Sequence, residues 1–158
     1  MNFGILSDLF NACTNSPFPE KALEDANRLR KSLVEENFVL PEVTYNNMIK
    51  AFGRCGDLET AFSLVDEMSR NNIPITTDTF NHLLYGCVAD KYSGFRHAIL
   101  TWRKLLETKR VRPNLTTVNL LLGATRGDLI SPQSIICSFA YHFHCKFSPQ
   151  IATWAIPT

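Results

Sequence analysis

The sequence predicts an all-α protein, an elongated solenoid of stacked helix-turn-helix units, and three observations predict it. The opening Val43-Thr44-Tyr45-Asn46 recurs as Asp78-Thr79-Phe80-Asn81, 35 residues on, and as Thr116-Thr117-Val118-Asn119, 38 residues after that. Behind the first two openings the apolar residues fall at i, i+3, i+4 and i+7, the spacing of one helix face, and behind the third at i, i+3 and i+4. The two complete units close on a proline, Pro74 and Pro113. A period of this size marks copies of one supersecondary unit, none of which can bury its apolar face without a neighbour.

Residues 2–13 place Phe3, Leu6, Phe10 and Cys13 on one helical face, and Asn15-Ser16-Pro17-Phe18-Pro19 breaks it. A second helix is expected from Pro19-Glu20, with Ala22, Ala26, Leu29 and Leu33 as its stripe to about Glu36. Together, residues 1–41 read as a divergent helical hairpin.

The next unit, 42–76, opens with a helix whose face is Tyr45, Met48, Ile49 and Phe52. Gly53-Arg54-Cys55-Gly56-Asp57 is its turn, with Gly56 suited to a left-handed C-terminal position and Asp57 to capping the next helix. That helix carries Ala61, Leu64, Val65 and Met68. The unit 77–114 repeats the scheme with Phe80, Leu83, Leu84 and Cys87, a turn from Ala89 to Gly94 lengthened by two residues, and then Ala98, Thr101, Trp102, Leu105 and Leu106. A partial unit, 115–128, starts on schedule with Val118, Leu121 and Leu122. Residues 129–158 hold one charged side chain, Lys146, three prolines and no helical period. They are expected to be a poorly ordered, non-repeat tail.

The chain has 158 residues, 45% hydrophobic and 20% charged, which supports a packed core and excludes wholesale disorder. Net charge is +1, but residues 1–42 carry seven acidic and four basic side chains while 43–128 carry eleven basic and eight acidic. The repeated part is therefore mildly basic, and any nucleic-acid binding would rest on base contacts more than on charge. Five cysteines without a C-x-x-C pair fit neither a disulfide framework nor a zinc finger, and point to a reducing compartment. Cys55 and Cys87 are expected as packing residues. No stretch reaches the roughly 18 apolar residues of a spanning helix. The N-terminal residues show no secretory signal and no Arg/Ser-rich transit peptide, so targeting information is absent or lies upstream of a truncated chain.

The T-Y/F-N opening with an apolar pair behind it, the G-x-x-G-D turn, A-x-x-L-x-x-x-M and a closing I-P at 35-residue spacing resemble the pentatricopeptide repeat. Val43 to Pro74 matches nearly throughout, Asp78 to Pro113 matches at both ends, and 114–128 matches only the first helix. Tetratricopeptide repeats differ in their W-x-x-L-G-x-x-Y opening, which is absent. The resemblance implies a right-handed α-solenoid in an organelle, the mitochondrial matrix, that reads single-stranded RNA at about one base per repeat. It further implies a role in the processing or maturation of mitochondrial transcripts or tRNA precursors beside separate RNA-processing enzymes. It implies no enzymatic activity and no cofactor.

In that family the fifth residue of each repeat and the last residue read the base. The fifth positions here are Asn46, Asn81 and Asn119; Asn offers both a donor and an acceptor to a base edge. The last-position partner of Asn46 is Thr76, with Ile75 as a competing choice, and that of Asn81 is Asn114. Second positions flank the base: Val43 is the expected small aliphatic wedge, whereas Asp78 departs from it and would repel phosphate. Lys50, one turn beyond Asn46, is the favoured phosphate contact, ahead of Arg54, Arg96, Arg103 and Lys104. The competing explanation for the asparagines is helix N-capping.

Tyr141-His142-Phe143-His144-Cys145 has metal-ligand residue types but no second pair at a recognised spacing, so no metal site is assigned. No P-loop, nucleophile elbow or H-E-x-x-H occurs. The alternative function is a helical-repeat scaffold whose groove binds a protein partner without RNA contact. Three equivalent polar residues in the first turns favour RNA over such a peptide groove.

Overall fold

Helix boundaries in this chain are set by caps that the local sequence supplies. Cys55 ends one helix, and Gly56 then takes φ +91°, a left-handed conformation that costs glycine little. The amide of Asp57 reaches back to Phe52 O (2.9 Å) and that of Gly56 to Gly53 O (3.3 Å), the paired bonds of a Schellman motif. Asp57 at once caps the following helix, its carboxylate accepting from the Thr60 amide (2.9 Å). Asn72, at φ 55°, repeats the device, with Ile73 N bonded to Met68 O (2.8 Å).

The computed structural model describes residues 3–35, 40–108 and 111–125, all within the unit Met1–Asp128. These residues form seven helices and, among them, no strand: α1 (Phe3–Asn15), α2 (Pro19–Glu35), α3 (Glu42–Arg54), α4 (Leu58–Arg70), α5 (Thr77–Ala89), α6 (Gly94–Glu107) and α7 (Leu115–Ala124). The expected tail 129–158, the basic residues Lys109 and Arg110, and the Tyr141–Cys145 cluster lie outside the described residues.

The first helices of the units, α1, α3, α5 and α7, pack in succession into one layer. The second helices, α2, α4 and α6, each rest on the first helices before and after them. Tyr45, Met48, Ile49 and Phe52 are buried, as are Phe80, Leu83, Leu84 and Cys87 in the next unit. Ala61, Leu64, Val65 and Met68 meet them from α4, and Ala98, Trp102 and Leu105 lie buried on α6. The close seam between α3 and α5 depends on Gly53 and Gly86. A Cβ on Gly86 would stand 2.7 Å from Gly53 Cα, closer than packed atoms tolerate.

Second helices are joined mainly by polar links. Arg30 pairs with Glu67 (3.4 Å) between α2 and α4, and Lys104 with Asp66 (2.9 Å) between α6 and α4. The Tyr45 hydroxyl donates to Glu67 Oε1 (2.7 Å) and accepts from Asn71 Nδ2 (3.3 Å), tying α3 to the C-terminal end of α4. Burial, helped by the Glu67 carboxylate, pushes the phenol up to about 12.

Several expected stripe residues fall short of burial: Phe3 is exposed, and Cys13, Leu29 and Val118 are half-buried. Leu106 is only half-buried and Leu122 is exposed, since no described helix follows α7 to cover it. The long turn after α5 is held by Asp90. Burial works against its charge, but hydrogen bonds from the Ser93 hydroxyl and the Tyr92 and Ser93 amides outweigh this and hold the carboxyl below its ordinary value.

Candidate nucleic-acid interface

Each asparagine of the T-Y/F-N opening lies five residues into its helix, one turn past the cap. Pro41, Thr76 and Asn114 are the N-cap residues of α3, α5 and α7, so Asn46, Asn81 and Asn119 occupy the same fifth position on successive helices of one layer. The N-capping explanation of these three asparagines is thereby excluded. The caps belong instead to the last residues of the units, Thr76 and Asn114. Asn114 accepts from the Thr117 amide (2.9 Å) while Thr117 Oγ1 accepts from the Asn114 amide (3.1 Å), a capping box with threonine in the glutamate place.

That threonine joins each fifth position to its last position. Thr79 Oγ1 accepts the Thr76 amide (3.3 Å), so its own hydrogen is free to donate to Asn46 Oδ1 at 2.8 Å. One unit further on, Thr117 Oγ1 stands 2.7 Å from Asn81 Oδ1 and 2.9 Å from Asn114 Oδ1, a single hydrogen shared between two acceptors. The pairs Asn46/Thr76 and Asn81/Asn114 are therefore brought together across the unit boundary through a buried hydroxyl. Ile75, the competing partner of Asn46, packs against the apolar core instead. Asn119 is exposed, with no threonine of a further unit among the described residues.

The hydroxyl bonds orient the amides. With Oδ1 turned to the next unit, the NH2 group is the edge left to face outwards. Asn81 Nδ2 has no partner among the described residues and is not sealed from solvent. In the preceding unit Glu42 Oε1 accepts from Asn46 Nδ2 (3.4 Å) and from Thr76 Oγ1 (3.1 Å). Threonine 77 takes the place of Glu42 in the second unit and points away, its hydroxyl donating to Arg112 O (3.0 Å).

Cationic and aromatic groups continue the row. Lys50 is half-buried on α3, and His82 follows Asn81 on α5. Burial and then the Lys50 charge hold the His82 imidazole below its ordinary value, with Asp78 working the other way. The Arg54 guanidinium lies 5.8 Å from the centre of the half-exposed Tyr85 ring. Val43, Asp78 and Thr116, the second positions, are all exposed. Lys104 is engaged by Asp66 in the other layer, and Arg96 and Arg103 are exposed there on α6, away from the asparagine row.

The feature sequence reasoning missed is the threonine, and with it Glu42. The signal was present, because Thr44, Thr79 and Thr117 recur as faithfully as the asparagines. A cavity of about 460 Å³ lies between α1 and α2 and involves none of these residues. Among the described residues no group of three or more His, Cys, Asp or Glu is placed to hold an ion. No described helix is long and apolar enough to cross a membrane.

Residues 42–89 match the PPR repeat family. The chain is 39% identical over 118 residues to the rat protein named pentatricopeptide repeat-containing protein 1, mitochondrial, and 38% identical over 118 residues to its human counterpart. These alignments take in 75% of this chain and 17% of either relative, so the chain spans about a sixth of their length. In fold it is similar to the pentatricopeptide repeat protein PPR10, solved in complex with an 18-nt psaJ RNA element, with a TM-score of 0.58 at 24% identity over 77% of this chain and 17% of that one. With its 35-residue period, its matched repeats and these relatives, the chain belongs to the pentatricopeptide repeat family.

Proposed function

We propose that this chain is a single-stranded RNA-binding segment that selects bases by sequence and works in the processing or maturation of mitochondrial RNA, tRNA precursors included. One observation carries the reading. Asn46 and Asn81 stand at equivalent positions of adjacent helices, each coupled through a threonine to the last residue of its own unit. In such an arrangement Asn46/Thr76 and Asn81/Asn114 each meet one base edge, Asn119 begins a third site, Val43 flanks the first base and Lys50 meets phosphate. The names of the rat and human relatives support a mitochondrial setting, within which the matrix is our proposal. The RNA ligand follows the family and the RNA complex of PPR10. The role is that of a binding module working beside separate processing enzymes, without cofactor or catalytic residues. Residues 42–76 and 77–114 act as the reading repeats, 115–128 as a partial one and 1–41 as a divergent hairpin.

Asn81→Asp tests this more cleanly than truncation. It keeps an oxygen for Thr117 Oγ1, so the fold is retained, and it exchanges the outward NH2 donor for an acceptor. Affinity for single-stranded RNA should fall by about 1–2 kcal/mol at one base position and less at the others. Electrophoretic or fluorescence titration against oligonucleotides varied one base at a time reads the effect. Binding indifferent to Asn46, Asn81 and Asn119 alike would remove the base-reading assignment and leave a protein-binding groove in its place.

A further inference from the structure

The outer faces of α4 and α6 carry opposite charges, level by level. Glu59, Ser63, Asp66 and Arg70 are exposed along α4, and Arg96, Leu100, Arg103 and Glu107 along α6. Both sets step by four, three and four residues, so each forms one stripe on the side of its helix away from the buried residues. Two contacts fix the level of one helix against the other. Phe62 meets the His97 ring (5.8 Å between centroids), and further along both helices Asp66 meets Lys104 (2.9 Å), so α4 and α6 run in the same direction. At that register Glu59 is level with Arg96, Asp66 with Arg103 and Arg70 with Glu107, each pair 37 residues apart. The order is acid, acid, base on α4 and base, base, acid on α6. This inversion is not general: α2 keeps the order of α4, with Glu20 and then Lys31 exposed 39 residues before Glu59 and Arg70. Of the six charges, Asp66 alone has an ion pair among the described residues, with Lys104 on the flank of α6 that faces α4.

We propose that these stripes form a contact between two copies of this chain, related by a two-fold axis lying between α4 and α6 and parallel to them. Rotation about such an axis keeps every residue at its own level and exchanges the two helices, so α4 of each copy faces α6 of the other. Glu59 then meets Arg96, Asp66 meets Arg103 and Arg70 meets Glu107, and the symmetry makes every pair twice. Exposed Leu100 comes to lie over Ser63, where neither residue brings a charge. Placing α4 on α4, or α6 on α6, in the same register would instead oppose like charges throughout. Exposed ion pairs contribute little singly, and two helices per copy make a contact at the small end of specific interfaces. The dimer is therefore weak and dissociated by salt. The asparagine row lies on the other layer of helices and stays uncovered, so the proposal is independent of RNA binding.

Sedimentation equilibrium of the full chain, without RNA, tests this. At about 50 mM salt the mean mass should rise above the monomer with concentration, and at about 0.5 M, where charges are screened within about 4 Å, it should return to the monomer. Arg96→Glu with Arg103→Glu sets acid against acid, and Glu59→Arg with Asp66→Arg sets base against base. Each double variant should dimerise about tenfold more weakly or worse. Mixed together, the two should form a one-to-one complex at least as tight as the wild-type dimer, because acids then face bases in both halves of the contact. The chain carrying all four changes should dimerise again by itself. Such rescue cannot come from misfolding, and all four positions are exposed. Wild type that stays monomeric at millimolar concentration and low salt overturns the proposal, as does association that strengthens with salt. Double variants that associate as wild type does, or that fail to rescue each other, overturn it equally.

Discussion

Thr44, Thr79 and Thr117 hold the same position of their units, all three with no measurable exposure, yet only two of the hydroxyls are used. Thr79 and Thr117 donate to the asparagine of the preceding unit; Thr44 Oγ1 is buried without a partner among the described residues. An unmade buried hydrogen bond costs about 1–3 kcal/mol, whereas replacing a hydroxyl that has no partner by a methyl of the same shape removes the cost. Thr44→Val should therefore leave the protein as stable or more so, and Thr79→Val should destabilise it by about 1–2 kcal/mol because it orphans Asn46 Oδ1. Urea midpoints of the two variants measure the contrast, and equal effects would show that the hydroxyl bonds count for little. The repeated asparagines were legible in the sequence because they recur at one position of each opening, although Asn46 and Asn81 are themselves largely buried. The use of the threonines was not, because the partner of Thr79 lies 33 residues back and that of Thr117 36 back. Glu42 was harder still: its second contact, to Thr76, spans 34 residues and follows no repeat.

At the scale of the helices, most of the architecture could be read in advance. The i, i+3, i+4, i+7 stripes of α3 and α5 are buried along their length, and the G-x-x-G-D turn forms the Schellman motif and cap that its residues specify. What the stripes do not convey is how closely two helices approach, because that is set by a residue without a side chain. Gly53 and Gly86 read as ordinary turn and helix glycines in sequence, and only the packing shows them face to face. A Cβ at Gly86 would also meet Leu58 Cδ2 at 2.9 Å, so backbone on one side and side chain on the other resist it. Gly86→Ala gains helix propensity of about 1 kcal/mol, but overpacking at backbone contact costs typically 1–3 kcal/mol or more. The expected net effect is a loss of stability, read as a lower thermal midpoint together with chemical-shift changes along α3 and α5. A stabilised Gly86→Ala protein would mean that the seam relaxes freely, and with it the spacing of Asn46 from Asn81.

Over the molecule, the function proposed above depends on which cations lie on the asparagine row. Arg30 is held by Glu67 and Lys104 by Asp66, both in links between second helices, while Asp78 sits exposed beside the asparagine row. On that row Lys50 and Arg54 are the cations that α3 contributes, and Arg54 lies against Tyr85. Neutralising Z phosphates of a single strand gives a slope of log affinity on log salt of about −0.7Z. Two cations then predict a slope of about −1.4, shallow for a nucleic-acid binder. Lys50→Ala should weaken every oligonucleotide alike and bring the slope toward −0.7, whereas Asn81→Asp should act through the base at its position. Lys50→Ala carries a second readout that needs no RNA. Removing the charge that helps depress His82 should raise the imidazole titration seen by NMR, while burial keeps it from full recovery. A His82 titration unmoved by the substitution would separate Lys50 from the row. A moved titration with an unmoved salt slope would leave Lys50 in place beside Asn81 but take phosphate contact away from it.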